Sequence, residues 1–152
     1  MSEVFVREKR VRFHHCDPAG IVFYPQYFVL FHELMEDWFR EGLGLDYAEF
    51  VGGGHGLPTV RVDCEFLAPN PMGDTIAFEL AVERLGNSSL TLRIVGRARG
   101  IDCVRAKVVA VHSHLRPLKA VAIPGALRLA MQRFVADMPT RENLPSRGID
   151  KS

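Results

Sequence analysis

Apolar and polar positions divide the chain into segments of different period. Residues 4–13, Val-Phe-Val-Arg-Glu-Lys-Arg-Val-Arg-Phe, begin and end apolar around a charged centre, which fits an extended strand better than a helix. From Tyr27 the period lengthens. Phe28, Phe31, Leu34, Met35, Trp38 and Phe39 recur at steps of three and four, while Glu33, Glu36, Asp37, Arg40 and Glu41 occupy much of the other face. This spacing predicts one helix of about four to five turns, ended by Gly42 and Gly44. Its apolar face is broad, so a sheet is expected to embrace it.

Residues 46–50 read as a short second helix and the Gly-rich stretch 52–56 as a flexible loop. Most of the chain from there to Leu115 reads as extended. Segment 58–68 is rich in Val and Phe, and 69–74 is a turn. Segments 75–85 and 89–99 alternate around a turn at 86–88, and after a turn at 100–102 segment 103–115 reads as a central strand. Pro124 suits the first turn of a last helix, 125–136. The order is strand, long helix, then four strands on short turns. Short connections imply antiparallel neighbours, and the long helix is the element large enough to cover their apolar face. The fold class is therefore α+β, a five-stranded antiparallel sheet wrapped around one helix.

Composition narrows this without changing it. With 152 residues and 47% hydrophobic content, one core forms and a second has little room. Residues 1–138 are expected to form a single domain, and 139–152, with their Pro, Gly and charged residues, a flexible tail. No apolar run is long enough for a membrane span, and the first residues lack the apolar stretch of a secretory signal, so the expectation is a cytoplasmic protein. Cys16, Cys64 and Cys103 are odd in number and widely spaced, which reads as reduced thiols. Nineteen Lys and Arg stand against eighteen Asp and Glu. A formal charge of +1 supplies no field for nucleic acid, and ligand phosphates would need local basic residues.

The candidate chemistry lies between the first strand and the long helix, at Asp17-Pro18-Ala19-Gly20. Pro18 restricts Asp17 to extended angles, and Gly20 permits a positive φ or a close ligand approach. The start of the following helix offers unpaired N–H groups and partial positive charge. An acidic side chain and an oxyanion-binding helix end thus come within one loop, as acyl transfer requires. Asp before Pro and Gly is also what an ordinary turn or helix cap looks like. His14, His15 and Cys16 resemble a metal cluster, but adjacent strand residues point to opposite faces, so only alternate members such as His15 and Asp17 would converge. No metal site is expected, and His15 reads as packing.

The string Asp17-Pro18-Ala19-Gly20-Ile21-Val22-Phe23-Tyr24-Pro25-x-Tyr27, followed by an aromatic helix, closely resembles the signature of the 4-hydroxybenzoyl-CoA thioesterase family. The likeness extends more loosely over residues 4–118, through Leu57-Pro58-Thr59-Val60 and Pro71-x-Gly73-Asp74. It implies a hot-dog fold whose subunits pair into a longer sheet, with homodimers associating into tetramers. It implies hydrolysis of an acyl-CoA thioester, aryl or short-chain, with Asp17 as nucleophile or general base and backbone N–H groups at Phe23 and Tyr24 polarising the carbonyl. Tyr27, His32, Pro58, Thr59 and Val60 would form the acyl pocket. Arg84, Ser88, Ser89, Arg116 and Lys119 would contact coenzyme A, which is part of the substrate, so no cofactor is expected. Family members acting on 4-hydroxybenzoyl-CoA carry a carboxylate on the helix where this chain has His32, which argues against that substrate. The alternatives are an acyl-carrier-protein thioesterase or dehydratase of the same fold, and a dimeric acyl-CoA-binding module in which Asp17 is structural.

Overall fold

A computed structural model of the chain describes residues 2–136. In chain order the elements are β1 (Phe5–Arg10), a single 3-10 turn (Phe13–His15), α1 (Tyr24–Asp37), α2 (Tyr47–Gly52), β2 (His55–Gly56), β3 (Thr59–Phe66), β4 (Thr75–Leu85), β5 (Ser89–Ala98), β6 (Ile101–Val111), β7 (Ser113–Leu115), β8 (Leu118–Ala120) and α3 (Gly125–Gln132). Five strands pair antiparallel in the spatial order β1-β4-β5-β6-β3, and β2-β7-β8 form a smaller sheet. This is the expected hot-dog arrangement.

Helix α1 is buried along one stripe by Tyr27, Leu30, Phe31, Leu34 and Met35, and Trp38 and Phe39 continue it through a wider π-type turn, Trp38–Gly42. Opposite it, alternate positions of β4 and β5 point inward: Ile76, Phe78, Leu80 and Val82, with Leu90, Leu92 and Ile94. Burying each such side chain contributes about 1.5–3 kcal/mol, so this contact dominates the stability. β3 is the exception. It forms one edge of the sheet, and seven of its eight residues are exposed, Cys64 being half-buried.

The helix opens at Tyr24, one turn before the position expected from the periodicity, because Pro25 sits in its first turn, where a missing N–H costs nothing. The expected strand 103–115 is two strands. β6 ends at Val111, and β7 leaves for the small sheet, pairing with His55–Gly56, which had read as loop. His55 Nδ1 lies 3.0 Å from His112 Nε2, and His112 Nδ1 lies 3.1 Å from the Val121 carbonyl. If His112 is neutral with Nδ1–H donating to that carbonyl, its Nε2 accepts from His55 Nδ1–H; in either tautomer the contact ties β2 to the residue between β6 and β7. The last helix stops at Gln132, since Val135 forms a parallel bridge with Val82. The expected tail, 139–152, lies outside the described residues.

Gly96 of β5 faces the core where a Cβ would stand 2.8 Å from Val104, 2.9 Å from Phe78 and 3.0 Å from Ile76. Gly96→Ala should therefore lower the unfolding free energy by about 1–3 kcal/mol through overpacking, measurable by denaturant unfolding.

Candidate active site

Asp17 sits at the tip of a small hairpin. The Asp17 N–H donates to Ile21 O at 3.1 Å and Gly20 N–H to Asp17 O at 2.9 Å, with Gly20 at φ +78°. A bridge between Cys16 and Val22 closes the loop. The half-buried Asp17 uses Oδ1 to accept the Ala19 N–H at 2.9 Å. Its Oδ2 has no protein partner among the described residues, so one carboxylate oxygen orients the side chain and the other is free to react.

The hairpin rests on the turn between β3 and β4. Val22 N–H donates to Asn70 O at 3.0 Å, Met72 N–H to Gly20 O at 2.9 Å, and Ile21 bridges Pro71. Asn70 is fully buried. Its Oδ1 accepts the Tyr27 hydroxyl at 2.6 Å, and its Nδ2 donates to Asp74 at 3.1 Å. Burial, reinforced by nearby thiols and Asp74, pushes the Tyr27 phenol up to about 12, so it stays a neutral donor. Burial alone would raise the Asp74 carboxyl, but hydrogen bonds from Asn70 and Arg99, with the guanidinium charge, outweigh that and hold it below the usual carboxylate range.

At the helix start, the Phe23 N–H is engaged by His15 O at 2.9 Å, Pro25 has none, and the Gln26 N–H returns to Phe23 O at 2.8 Å. The expectation of two carbonyl-polarising donors, at Phe23 and Tyr24, thus reduces to one. Tyr24 N–H has no partner among the described residues. His15 ends the 3-10 turn, so strand alternation does not relate it to Asp17. Its buried ring accepts the Arg12 N–H on Nδ1 at 2.8 Å, and burial, then the neighbouring His14, lowers its pKa. It is a neutral structural side chain. Burial also raises the Cys64 thiol to about 11, which removes it as a thiolate nucleophile.

An apolar cavity of about 320 Å³ lies between α1 and the sheet. Phe28, Phe31, His32 and Met35 line it from the helix, Thr59 and Val62 from β3, and β5 and β6 form its floor. Of the expected acyl-pocket residues, His32 and Thr59 meet here. Tyr27 is buried against Phe31 and Phe66 and spends its hydroxyl on Asn70, and neither Pro58 nor Val60 lines the cavity. Val60 falls at a bulge between Thr59 and Arg61 and is 61% exposed, which leaves it outside the cavity. The residues alone did not point to Phe28, Phe31, Met35 or Val62 as cavity lining, although the first three belong to the helical stripe. His32 Nε2 lies 3.0 Å from Glu36 one turn on.

The expected coenzyme A contacts do not surround Asp17 within one chain. Arg84 lines a charged hollow on the outer face of the sheet with Arg61, Glu83 and Lys107. Ser88 lies in the β4–β5 turn and Ser89 begins β5, Arg116 lines a hollow beside His114, and Lys119 lies on β8. These positions lie near the far end of β4, eleven residues or about 36 Å of strand from the turn under Asp17. Periodicity describes which face a residue takes but not which end of the sheet serves which site.

The chain belongs to the thioesterase-like superfamily, whose family model matches residues 11–131. It is 28% identical over 86 residues to a 1,4-dihydroxy-2-naphthoyl-CoA hydrolase of Acaryochloris marina, a match spanning 56% of this chain and 62% of that one. It is 30% identical over 116 residues to the enzyme of the same name from Prochlorococcus marinus, covering 71% and 72% of the two chains. A solved gentisyl-coenzyme A thioesterase superposes with a TM-score of 0.76 at 28% identity, over 82% of this chain and 99% of that one. None of the helices among the described residues is long and apolar enough to cross a membrane.

The lowered pKa of His15 means that the unfolded chain binds a proton more readily than the folded one. Stability should therefore fall as pH drops below about 6.5 towards the folded pKa. His15→Asn keeps an acceptor for Arg12 N–H but cannot titrate, so its melting temperature between pH 8 and 5.5 should decline less steeply than that of the wild type.

Proposed function

We propose that the chain hydrolyses an aryl-CoA thioester to the free acid and coenzyme A. One observation carries this reading: a carboxylate with a free oxygen, Asp17, adjoins a helix start whose Tyr24 N–H is unspent, and an apolar cavity opens on the same stripe of that helix. Tyr24, Phe28, His32 and Met35 are spaced by three or four residues, so the cavity begins about 6 Å, one turn, from the Tyr24 N–H. An acyl group in the cavity would place its carbonyl near that donor, whose stabilisation of a developing oxyanion is worth about 3–4 kcal/mol. Asp17 then takes a proton from an attacking water, or attacks the carbonyl carbon itself to give a mixed anhydride that water hydrolyses to the free acid, restoring the carboxylate. The C–S bond breaks as the tetrahedral intermediate collapses, and the thiolate leaves readily because thiols are only weakly basic.

The cavity also favours the aryl class. The named relatives act on hydroxylated aromatic thioesters, and the cavity holds two polar side chains, His32 and Thr59, among apolar ones. Nε2–H of His32 faces Glu36, which leaves Nδ1 as an acceptor for a ring hydroxyl.

Catalysis would take place in a homodimer built on β3, with dimers pairing further into a tetramer. The exposed edge has no partner strand among the described residues, and Phe13, Phe23, Tyr24 and Phe66 form exposed apolar surface beside Asp17. Antiparallel self-pairing about the middle of β3 sets each Arg61 opposite an acidic residue, Asp63 or Glu65, of the other chain. The two-fold also brings the partner's Ser88–Ser89 end beside this chain's Asp17 end. Coenzyme A contacts too distant within one chain are thereby supplied by the other.

The Ala19–Asp17 bond favours one competing reading, a binding module in which Asp17 only shapes the turn. Thiol trapping with a panel of acyl-CoAs decides between them, since a binder releases no coenzyme A. Asp17→Asn retains the Oδ1 acceptor and hence the turn, and should lower kcat by about 10²–10⁴ with melting temperature unchanged. Wild-type turnover in that variant would remove Asp17 from the reaction. His32→Leu should raise KM for hydroxyaryl thioesters by about tenfold relative to unhydroxylated ones, as expected for one lost hydrogen bond.

A further inference from the structure

Arg99 breaks a local rule. The turn joining β5 to β6 places Arg99 at φ 53° and Gly100 at φ 74°, and Arg99 is the one non-glycine with positive φ among the described residues. Two successive positive φ angles define a hairpin turn in which the first position strongly favours Asn, Asp or Gly. A long side chain gains nothing there from the backbone. A strained residue of this kind persists when its side chain has a task.

The task is visible in its contacts. Arg99 Nη1 pairs with Asp74, and Nη2 donates to Pro69 O at 3.1 Å. Both acceptors belong to the turn that supports the Asp17 hairpin. From Asp74 the chain of bonds runs to Asn70 Nδ2 and from Asn70 Oδ1 to the Tyr27 hydroxyl, one turn into α1. The same turn holds the hairpin through Asn70 O and Met72 N–H. One clamp thus fixes both parts of the reaction geometry, the loop bearing Asp17 and the helix whose first N–H is at Tyr24.

We infer that Arg99 is a positioning residue for thioester hydrolysis, setting the separation of Asp17 and the Tyr24 N–H through the Asp74–Asn70–Tyr27 chain. The inference rests on the proposed role of Asp17. It predicts an unusual separation of stability from activity. Arg99→Asn suits the turn better than arginine but removes the clamp, and small misplacements of reacting groups carry large rate penalties.

The test compares kcat, KM and melting temperature for Arg99→Asn, Arg99→Lys and Tyr27→Phe with the best aryl-CoA substrate, beside Asp17→Asn. Arg99→Asn should lower kcat about tenfold or more with KM within about twofold and a melting temperature equal to or above wild type. Arg99→Lys keeps the charge on Asp74 and should recover part of kcat. Tyr27→Phe breaks the far end of the chain and should lower kcat likewise, with some loss of melting temperature because Asn70 Oδ1 is left buried and unpaired. A melting temperature of Arg99→Asn that falls in step with kcat would reduce Arg99 to a structural role. A rise in KM at constant kcat would make it a substrate contact instead. Either result overturns the inference, as does unchanged kcat in Tyr27→Phe and Arg99→Asn while Asp17→Asn is inactive. Full turnover in Asp17→Asn would overturn the proposed reaction itself, and this inference with it.

Discussion

A buried amide must find all its partners inside the protein, and around Asn70 that requirement organises the site. The side chain accepts from a phenol on α1 and donates to a carboxylate beside β4, while its backbone carbonyl takes an N–H from the hairpin after β1. Leaving any of these buried groups unpaired costs about 1–3 kcal/mol, so three segments distant in sequence are held in one arrangement. A phenol that stays neutral and a carboxylate that stays charged suit this role, because neither changes state near neutral pH.

The long helix joins stability to chemistry. Its inward stripe supplies much of the core, and its outer shoulder, from Tyr24 through Phe28 and His32, borders the cavity. A backbone donor at the first turn of so well buried an element inherits its rigidity. The opposite arrangement holds at β3, where, among the described residues, the sheet stops at an unpaired edge with apolar residues in view. One face of the site is finished within the chain, and the other is left open.

Much of this was legible in the residues. The period of α1, the alternation of β4 and β5 and the Asp-Pro-Ala-Gly joint each express a local rule, and each appears in the structure close to where the rule put it. The departures share a cause, which is that they depend on neighbours. Helix α1 starts early because Pro25 fits a first turn. Segment 103–115 divides because Ser113 and His114 pair into a second sheet, and Val60 is displaced by a bulge. Phe23 loses its free N–H to a carbonyl that only the 3-10 turn brings near. Asn70 gave no signal, because an Asn between two prolines reads as an ordinary turn residue and its burial is a tertiary fact. Arg99 was detectable in principle, as an arginine before glycine where a hairpin calls for asparagine.

The exposed edge at β3 also bears on how the protein is made. A newly folded chain presents eight residues of strand, Thr-Val-Arg-Val-Asp-Cys-Glu-Phe, with an edge that pairs with no other strand among the described residues. Such an edge is a template for unwanted association. Arg61, Asp63 and Glu65, spaced along its outer face, act as gatekeepers, because stacking this segment in parallel register would align like charges. The charge pattern of one strand therefore guards this open edge, and neutral substitutions there would shorten the life of the chain in solution.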